Sequence, residues 1–388
     1  MRHCLLLLFI ALLAASCNQN KEAKTVEPPT ALGEKIRLNP NDTPTVYIED
    51  IAAEMYRVKL KTDSGFSIKH ISNLFVTDSA IIVADRLQSM VLIFDEKGRP
   101  ATRIHNLHER NDNYTNIADV AFDSENGLIE ILDLDLKKIF RYRTSGLPFD
   151  TLTIVGIKDF GLTFAKSGDF YVSEMLNNNN NKYMRRISLY HRSGNMLTPQ
   201  AKEMFYWPIQ KNLDLTFPHQ FENYGNDVYY FPLLDRNIYS LSGKGIKPAY
   251  TVELPESIKP NIDIKTEATP KDHFAYWNRM ESSNLMYDNN SLFINDDWVT
   301  FRYSFGSRRT PRNVFYHKKS GKVMQTGAYK TKSDSSFLSK GRVLARMGEY
   351  FVMPVPMKPP GKKPVSEIKD IPALRNFELL YVKLKEPA

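Results

Sequence analysis

Three aspartates, Asp85, Asp133 and Asp235, each close an apolar run, and Glu174 holds the same place in a fourth. Arg86 and Arg236 follow two of them directly. Charged groups that recur at one point of a repeated unit could ring the mouth of a central funnel. There, carboxylate oxygens would suit a hard cation such as Ca²⁺, and the guanidinium groups a polar or anionic ligand. The same position has a plainer use, since an aspartate at a strand end starts a turn by accepting from the backbone amide two residues on.

A second cluster is denser. Asp296-Asp297-Trp298, Arg302 and the run Arg308-Arg309-Thr310-Pro311-Arg312 put acid, aromatic and guanidinium groups within seventeen residues. Together they would suit a carbohydrate or peptide, with the indole stacked on apolar faces and the charges bonded to hydroxyls. The alternative is an exposed hairpin with ordinary surface charge. His105-x-x-His108-Glu109 offers two imidazoles and a carboxylate, but in neither the HExxH nor the HxxEH zinc order. No GxSxG, GxxxxGK or GxGxxG sequence occurs, and Cys4 and Cys17 are the only cysteines. A disulfide scaffold and thiol or Cys-ligated metal chemistry in the body are therefore excluded.

The elements that would carry these residues form a repeat. Each copy is an apolar strand, a polar turn, a second apolar strand, an aromatic residue and a turn closed by glycine. Ala80–Arg86 with Met90–Gly98 is the first copy and Gly127–Asp133 with Lys138–Gly146 the second. Gly168–Glu174 with Arg186–Gly194 is the third and Asp227–Phe231 with Asn237–Gly243 the fourth. Ser291–Asn295 with Asn313–Gly321 and Tyr350–Pro354 with Phe377–Val382 follow less regularly. The anchors Phe94, Tyr142, Tyr190 and Tyr239 lie 48, 48 and 49 residues apart, and Tyr316 and Tyr381 follow after 77 and 65. A period near 48 fits a four-stranded propeller blade. Six copies predict an all-β, six-bladed β-propeller with antiparallel blades over 36–388, its ring closed by pairing Met55–Leu60 with the strand near Leu379–Leu384. A short helix is expected over 270–280, beside blades four and five, because Thr269 can cap it and Pro270 suits its first turn. The asparagine run 177–181 reads as a solvated loop tip.

The phrase Ile82-Val83-Ala84-Asp85-Arg86…Ile93-Phe94-Asp95-Glu96-Lys97-Gly98 resembles the blade unit of NHL- and TolB-type propellers. With the N-terminal features below, the chain resembles the six-bladed β-propeller lipoproteins of Bacteroidota. That resemblance implies a fold and an address rather than a reaction. Propeller enzymes assemble their sites from separate blades, so missing local motifs do not exclude catalysis. The leading expectation is a non-enzymatic envelope protein that binds a ligand or protein partner, with no cofactor required. The alternative is a metal-assisted hydrolase or lyase working in the funnel, which a Ca²⁺ or Zn²⁺ held by several blade loops would favour.

Residues 1–16 have a basic start, an apolar stretch and the small residues Ala14-Ala15-Ser16, and Cys17 follows. This is the layout of an export leader and resembles the lipobox of bacterial lipoproteins, in which Cys17 would carry the lipid. Polar residues 17–35 then read as a flexible tether. Asn18 stands where aspartate would favour inner-membrane retention in that family, so the expected address is the outer membrane, periplasmic or surface-facing. The chain carries a formal charge of +8. Given export, that charge points to a glycan or an acidic envelope protein rather than nucleic acid. With 42% hydrophobic and 12% aromatic residues, the body has ample material for a core, which rules out general disorder.

Overall fold

The computed structural model describes residues 33–387, except 64, 106–112, 157–159, 180–181, 206–219, 243–244, 262–272, 308–309, 333–337, 340 and 356–376. The leader, Cys17 and most of the tether lie outside the described residues.

Antiparallel meanders dominate. The first sheet runs Asn73–Val76, Ala80–Asp85, Met90–Asp95 and Pro100–His105. Its middle strands, AIIVAD and MVLIFD, are apolar at odd and even positions alike, as a strand covered on both faces requires. Alternate side chains then leave toward opposite neighbours. Ile81, Val83, Leu92 and Phe94 pack with Val58, Leu379 and Tyr381, whereas Ile82, Ala84, Val91 and Ile93 pack with Ile129, Ile131 and Phe140.

The second meander, Asp119–Asp123, Leu128–Asp133, Lys138–Arg143 and Pro148–Ile154, and the third, Thr163–Ser167, Phe170–Asn179, Lys182–Ser193 and Met196–Phe205, share one eight-stranded sheet. Their outermost strands pair in parallel, Thr153 with Met196 and Ile154 with Leu197. The fourth meander is Phe221–Tyr224, Asp227–Tyr230, Asn237–Ser242 and Gly245–Glu253, and Glu34–Arg37 adds to its outer edge in parallel. The fifth is Met286–Ile294, Trp298–Phe305, Arg312–His317 and Val323–Thr326. The closing sheet takes Ala345–Met347, Tyr350–Pro354 and Glu378–Leu384 from the C-terminal region and Ala52–Lys59 from the N-terminal one. Leu379 pairs with Val58 and Leu384 with Ala52, the union expected from the sequence.

Each apolar core lies between successive meanders. Phe160 and Tyr171 meet Leu132 and Leu152; Val172 and Leu189 meet Val228 and Tyr239; Ile238 and Val252 meet Leu292 and Val314. Phe315 and Trp298 meet Phe351 and Leu380, and the closing sheet then meets the first. The cores form a cycle, and the innermost strand of every meander faces one central cavity. This is the architecture of a β-propeller.

The repeated glycines Gly98, Gly146, Gly194 and Gly321 have φ of 73°, 81°, 58° and 69°, the left-handed region that a β-carbon disfavours. The aromatic anchors also acquire a reason. The register between third and fourth strands shifts just before Phe94, Tyr142, Tyr190 and Tyr239, and each then faces a proline, Pro100, Pro148, Pro199 or Pro248. Proline fits an outer strand beside a bulge, because it has no ladder hydrogen to give. The ring of each anchor is buried.

Two features differ from the sequence reading. The ladder of the third hairpin continues through Asn179, paired with Lys182, so backbone pairing overrides the weak strand preference of asparagine. Before the ring-closing strand, the N-terminal segment is strapped over the fourth and fifth meanders. Arg312 Nε donates to the Pro40 carbonyl at 2.6 Å, Gln325 Nε2 to that of Asn39 at 2.8 Å and Thr326 Oγ1 to that of Pro44 at 2.8 Å. The helix His273–Glu281 packs Trp277 and Met280 against Tyr239 and Tyr287, between the fourth and fifth meanders as expected.

Candidate functional site

Two cavities adjoin at the innermost strands of the first three meanders. A cavity of about 580 Å³ runs between the innermost strands, from Asn73, Asp119 and Thr163 to the turn residues Asp78, Ser79, Gly127 and Gly348. A second, of about 550 Å³, opens at the other end between His70, Arg86, Leu87, Asn116, Asp135 and Leu162. Both are lined by Asn73, Asp119 and Thr163, which form a waist.

The waist is built from neighbouring innermost strands. Asn73 Nδ2 donates to Asp119 Oδ1 at 3.2 Å and to the Val120 carbonyl at 3.1 Å, and the Phe164 amide donates to Asp119 Oδ2 at 3.1 Å. Burial pushes the Asp119 carboxyl up to about 6, against the pull of these donors and of the Arg86 charge.

A crossbar lies on the far side of the cavity. Arg346, on the closing sheet, reaches past the fifth meander to the fourth. Its Nε lies 2.9 Å from Glu222 Oε1 and its Nη2 3.2 Å from the Asn223 carbonyl. Burial raises the Glu222 carboxyl above the usual carboxylate range, while Arg346 and the Ile294 amide hold it down. The wall of this cavity thus mixes apolar strand residues with polar groups, several of which are already paired with one another. It can orient hydroxyls or a charged head group through the exposed parts of the same side chains.

The recurrent aspartates have their oxygens occupied locally. Asp85 accepts from the amides of Lys69, His70 and Gln88 and from Gln88 Nε2. Asp133 accepts from the amides of Thr115, Asn116 and Leu136 and from Thr115 Oγ1. Burial works upward on Asp133, but these donors outweigh it and hold the carboxyl below its usual value. Asp235 accepts from the amides of Arg236 and Asn237 and, at 2.7 Å, from the Tyr239 hydroxyl. Buried Glu174 receives the Tyr230 hydroxyl from the next meander. Arg86 faces the second opening, and Arg236 is half-buried beside Asp235. The geometry therefore uses Asp85, Asp133 and Asp235 to fasten turns.

The dense cluster of the fifth meander is taken apart by the fold. Trp298 is 7% exposed, packs among Phe293, Phe315 and Phe351, and lies 4.8 Å from the His317 ring, so its face is not offered to a sugar. Asp296 accepts from the Tyr224 hydroxyl at 3.0 Å, and Asp297 pairs with Lys319 at 2.9 Å. Arg302 stands four residues along the strand, about 13 Å from Trp298. Arg312 is buried on backbone carbonyls. Arg308, Arg309, His108 and Glu109 lie outside the described residues. No group of three or more potential metal ligands occurs among the described residues, and no helix there is long and apolar enough to cross a membrane.

Sequence reasoning missed Asn73, Asp119, Glu222 and Arg346, because it searched the ends of second strands whereas the axis is lined by first strands. One signal was available. Asn73 and Asp119 are 46 residues apart, close to the period of the aromatic anchors.

Among solved structures, a putative exported protein from Bacteroides fragilis is similar, with a TM-score of 0.64 and 13% identity, covering 91% of this chain and 100% of that one. A member of the DUF4221 family from Bacteroides vulgatus is also similar, with a TM-score of 0.49 and 8% identity, covering 86% and 97%. The first likeness is one of fold alone. No curated protein matches the chain. Residues 34–359 match the family described as Domain of unknown function (DUF4934), and the chain belongs to that family.

Proposed function

We propose that this chain is an exported, lipid-anchored, six-bladed propeller that binds a polar ligand of saccharide size in its axial cavity. The observation that carries the reading is the cavity of about 580 Å³, walled by the innermost strands and furnished with Asn73, Asp119, Gln220, Glu222, Asn223 and Arg346. Its size lies within the range of small-molecule sites, and convergent polar groups are what such sites use for orientation. A count of six follows if the eight-stranded sheet is taken as two blades and Glu34–Arg37 as an addition to the fourth. Export is supported by the leader and by the name of the B. fragilis protein, and anchoring by the position of Cys17 directly after the leader. The outer membrane is the proposed address, with a glycan of the envelope or its surroundings as ligand.

Two experiments test this. Metabolic labelling with a palmitate analogue should tag the wild-type chain and not Cys17→Ala; an untagged wild type removes the anchor. For binding, the purified protein is applied to an array of neutral and acidic glycans beside Ser79→Trp, which places an indole at the exposed rim of the cavity. Binding should fall in the variant while its melting temperature holds. A blank array, or equal binding by both proteins, refutes the axial site.

A further inference from the structure

A second polar cluster lies between the fifth meander and the closing sheet, away from the residues that line the axial cavity. Arg302 stands between Asn290 and Asn313 on the flanking strands. Asn313 Nδ2 donates to the Gly341 carbonyl at 3.3 Å, which brings the neighbouring Arg342 to the same place. Asp288, with φ of 58°, turns its carboxylate into the group and accepts from Ser304 Oγ at 3.2 Å. Tyr329 is 1% exposed and lies close enough for its phenol to feel the Arg302 charge. Its hydroxyl and Arg302 Nε are both closed off from solvent, and neither has a hydrogen-bond partner among the described residues.

The charges do not balance. Arg302 and Arg342 face one carboxylate, and neither forms a close ion pair among the described residues. Burial, together with the like charge of Arg302, pushes Arg342 down to about 10 despite the opposing Asp288. Burial likewise lowers Arg302 and raises Asp288 to about 6. An unpaired guanidinium N–H, Arg302 Nε, and an unpaired hydroxyl donor inside a fold each cost free energy that an acceptor would recover. The missing partner is an acceptor bearing negative charge, and the planar guanidinium fork selects oxyanions.

We propose that Arg302, Arg342 and the Tyr329 hydroxyl bind an oxyanion group, a carboxylate, phosphate or sulfate, between the fifth meander and the closing sheet. Asp288 orients the guanidinium groups and admits a single anionic group, since it already neutralises one of the two positive charges. The group could arrive as a free inorganic ion or as the acid of a sugar.

The test is calorimetric titration of the intact soluble body with sodium phosphate, sodium sulfate and sodium glucuronate, each at an ionic strength fixed with chloride. Saturable binding of at least one is expected. Phosphate or sulfate alone would identify a free ion, and glucuronate alone an acidic sugar. Arg342→Gln, outside regular structure, should abolish the heat. Tyr329→Phe should weaken binding about tenfold or more, the loss of a hydrogen bond to a charged group, while its melting temperature in chloride equals or exceeds that of the wild type. If Arg302→Met does not fold, Arg302→Lys keeps the charge without the fork and should also weaken binding. No saturable binding beyond chloride overturns the proposal. So does Tyr329→Phe that binds like the wild type and is merely more stable, since the hydroxyl would then be only an unpaired core group.

Discussion

The crossbar between Arg346 and Glu222 lends itself to a quantitative test. Arg346→Met keeps an unbranched apolar stem and removes two contacts, 2.9 Å to Glu222 and 3.2 Å to the Asn223 carbonyl. It also leaves Glu222 charged in a buried place. Breaking a fully buried pair costs about 3–5 kcal/mol. These side chains are 27% and 13% exposed, so solvent screening reduces that to about 2–3 kcal/mol. For a chain of this length each kcal/mol lowers Tm by roughly 1–2 °C, giving a drop of about 3 °C. The pH dependence carries the diagnosis. Burial raises the Glu222 carboxyl above its ordinary 4.5, and Arg346 restrains it. Without the arginine the folded state binds this proton more tightly than the unfolded state. The variant therefore loses stability as pH rises above that ordinary value, and the charge penalty disappears below it. Thermal unfolding followed by circular dichroism should show a larger deficit at pH 7 than at pH 4. Adding Glu222→Gln to Arg346→Met should return part of the loss. An equal deficit at both pH values, together with a double variant worse than the single one, would refute a buried charge pair as the link across the cavity.

Gly98 turns beside the ring-closing strand, and a β-carbon there would lie 2.3 Å from the Lys59 carbonyl oxygen at a φ of 73°; Gly98→Ala should cost roughly 3 kcal/mol, read by denaturant unfolding, and unchanged stability would deny the close approach. Truncation after Phe377 removes Glu378–Leu384, the partner of Ala52–Lys59, and should abolish the cooperative thermal transition; a transition within a few degrees of the wild type would show the ring does not depend on that union. Glu130 is fully buried, receives the Tyr171 hydroxyl at 2.8 Å, has one oxygen without a partner and lies 3.8 Å from an Arg141 already paired to Asp150. Burial lifts its carboxyl to about 7 from 4.5, so the wild type should lose stability relative to Glu130→Gln as pH rises between those values, by on the order of 2–3 kcal/mol; parallel pH profiles would contradict this.

By itself, the sequence determined the sheets. Runs such as Ala80–Ala84 are apolar at every position, which suits a strand covered on both faces, and the first four aromatic anchors, 48 or 49 residues apart, set the period of the meanders. Turn glycines and strand-end aspartates were legible because backbone geometry demands them locally. The prolines opposite the aromatic anchors were equally local, but their meaning needed the register. Only the tertiary structure decided what lines the axis. Asn73, Asp119, Glu222 and Arg346 are unremarkable polar residues in first strands and become a site because a ring brings distant strands to one line. Trp298 shows the converse. Beside two acids and an arginine it reads as a binding residue, yet strand alternation turns its ring into the core between the fifth meander and the closing sheet and leaves Arg302 with partners far away in the chain. Hydrophobic period is written in neighbouring residues, whereas the meeting of charges across a ring depends on how many sheets close it and in what order.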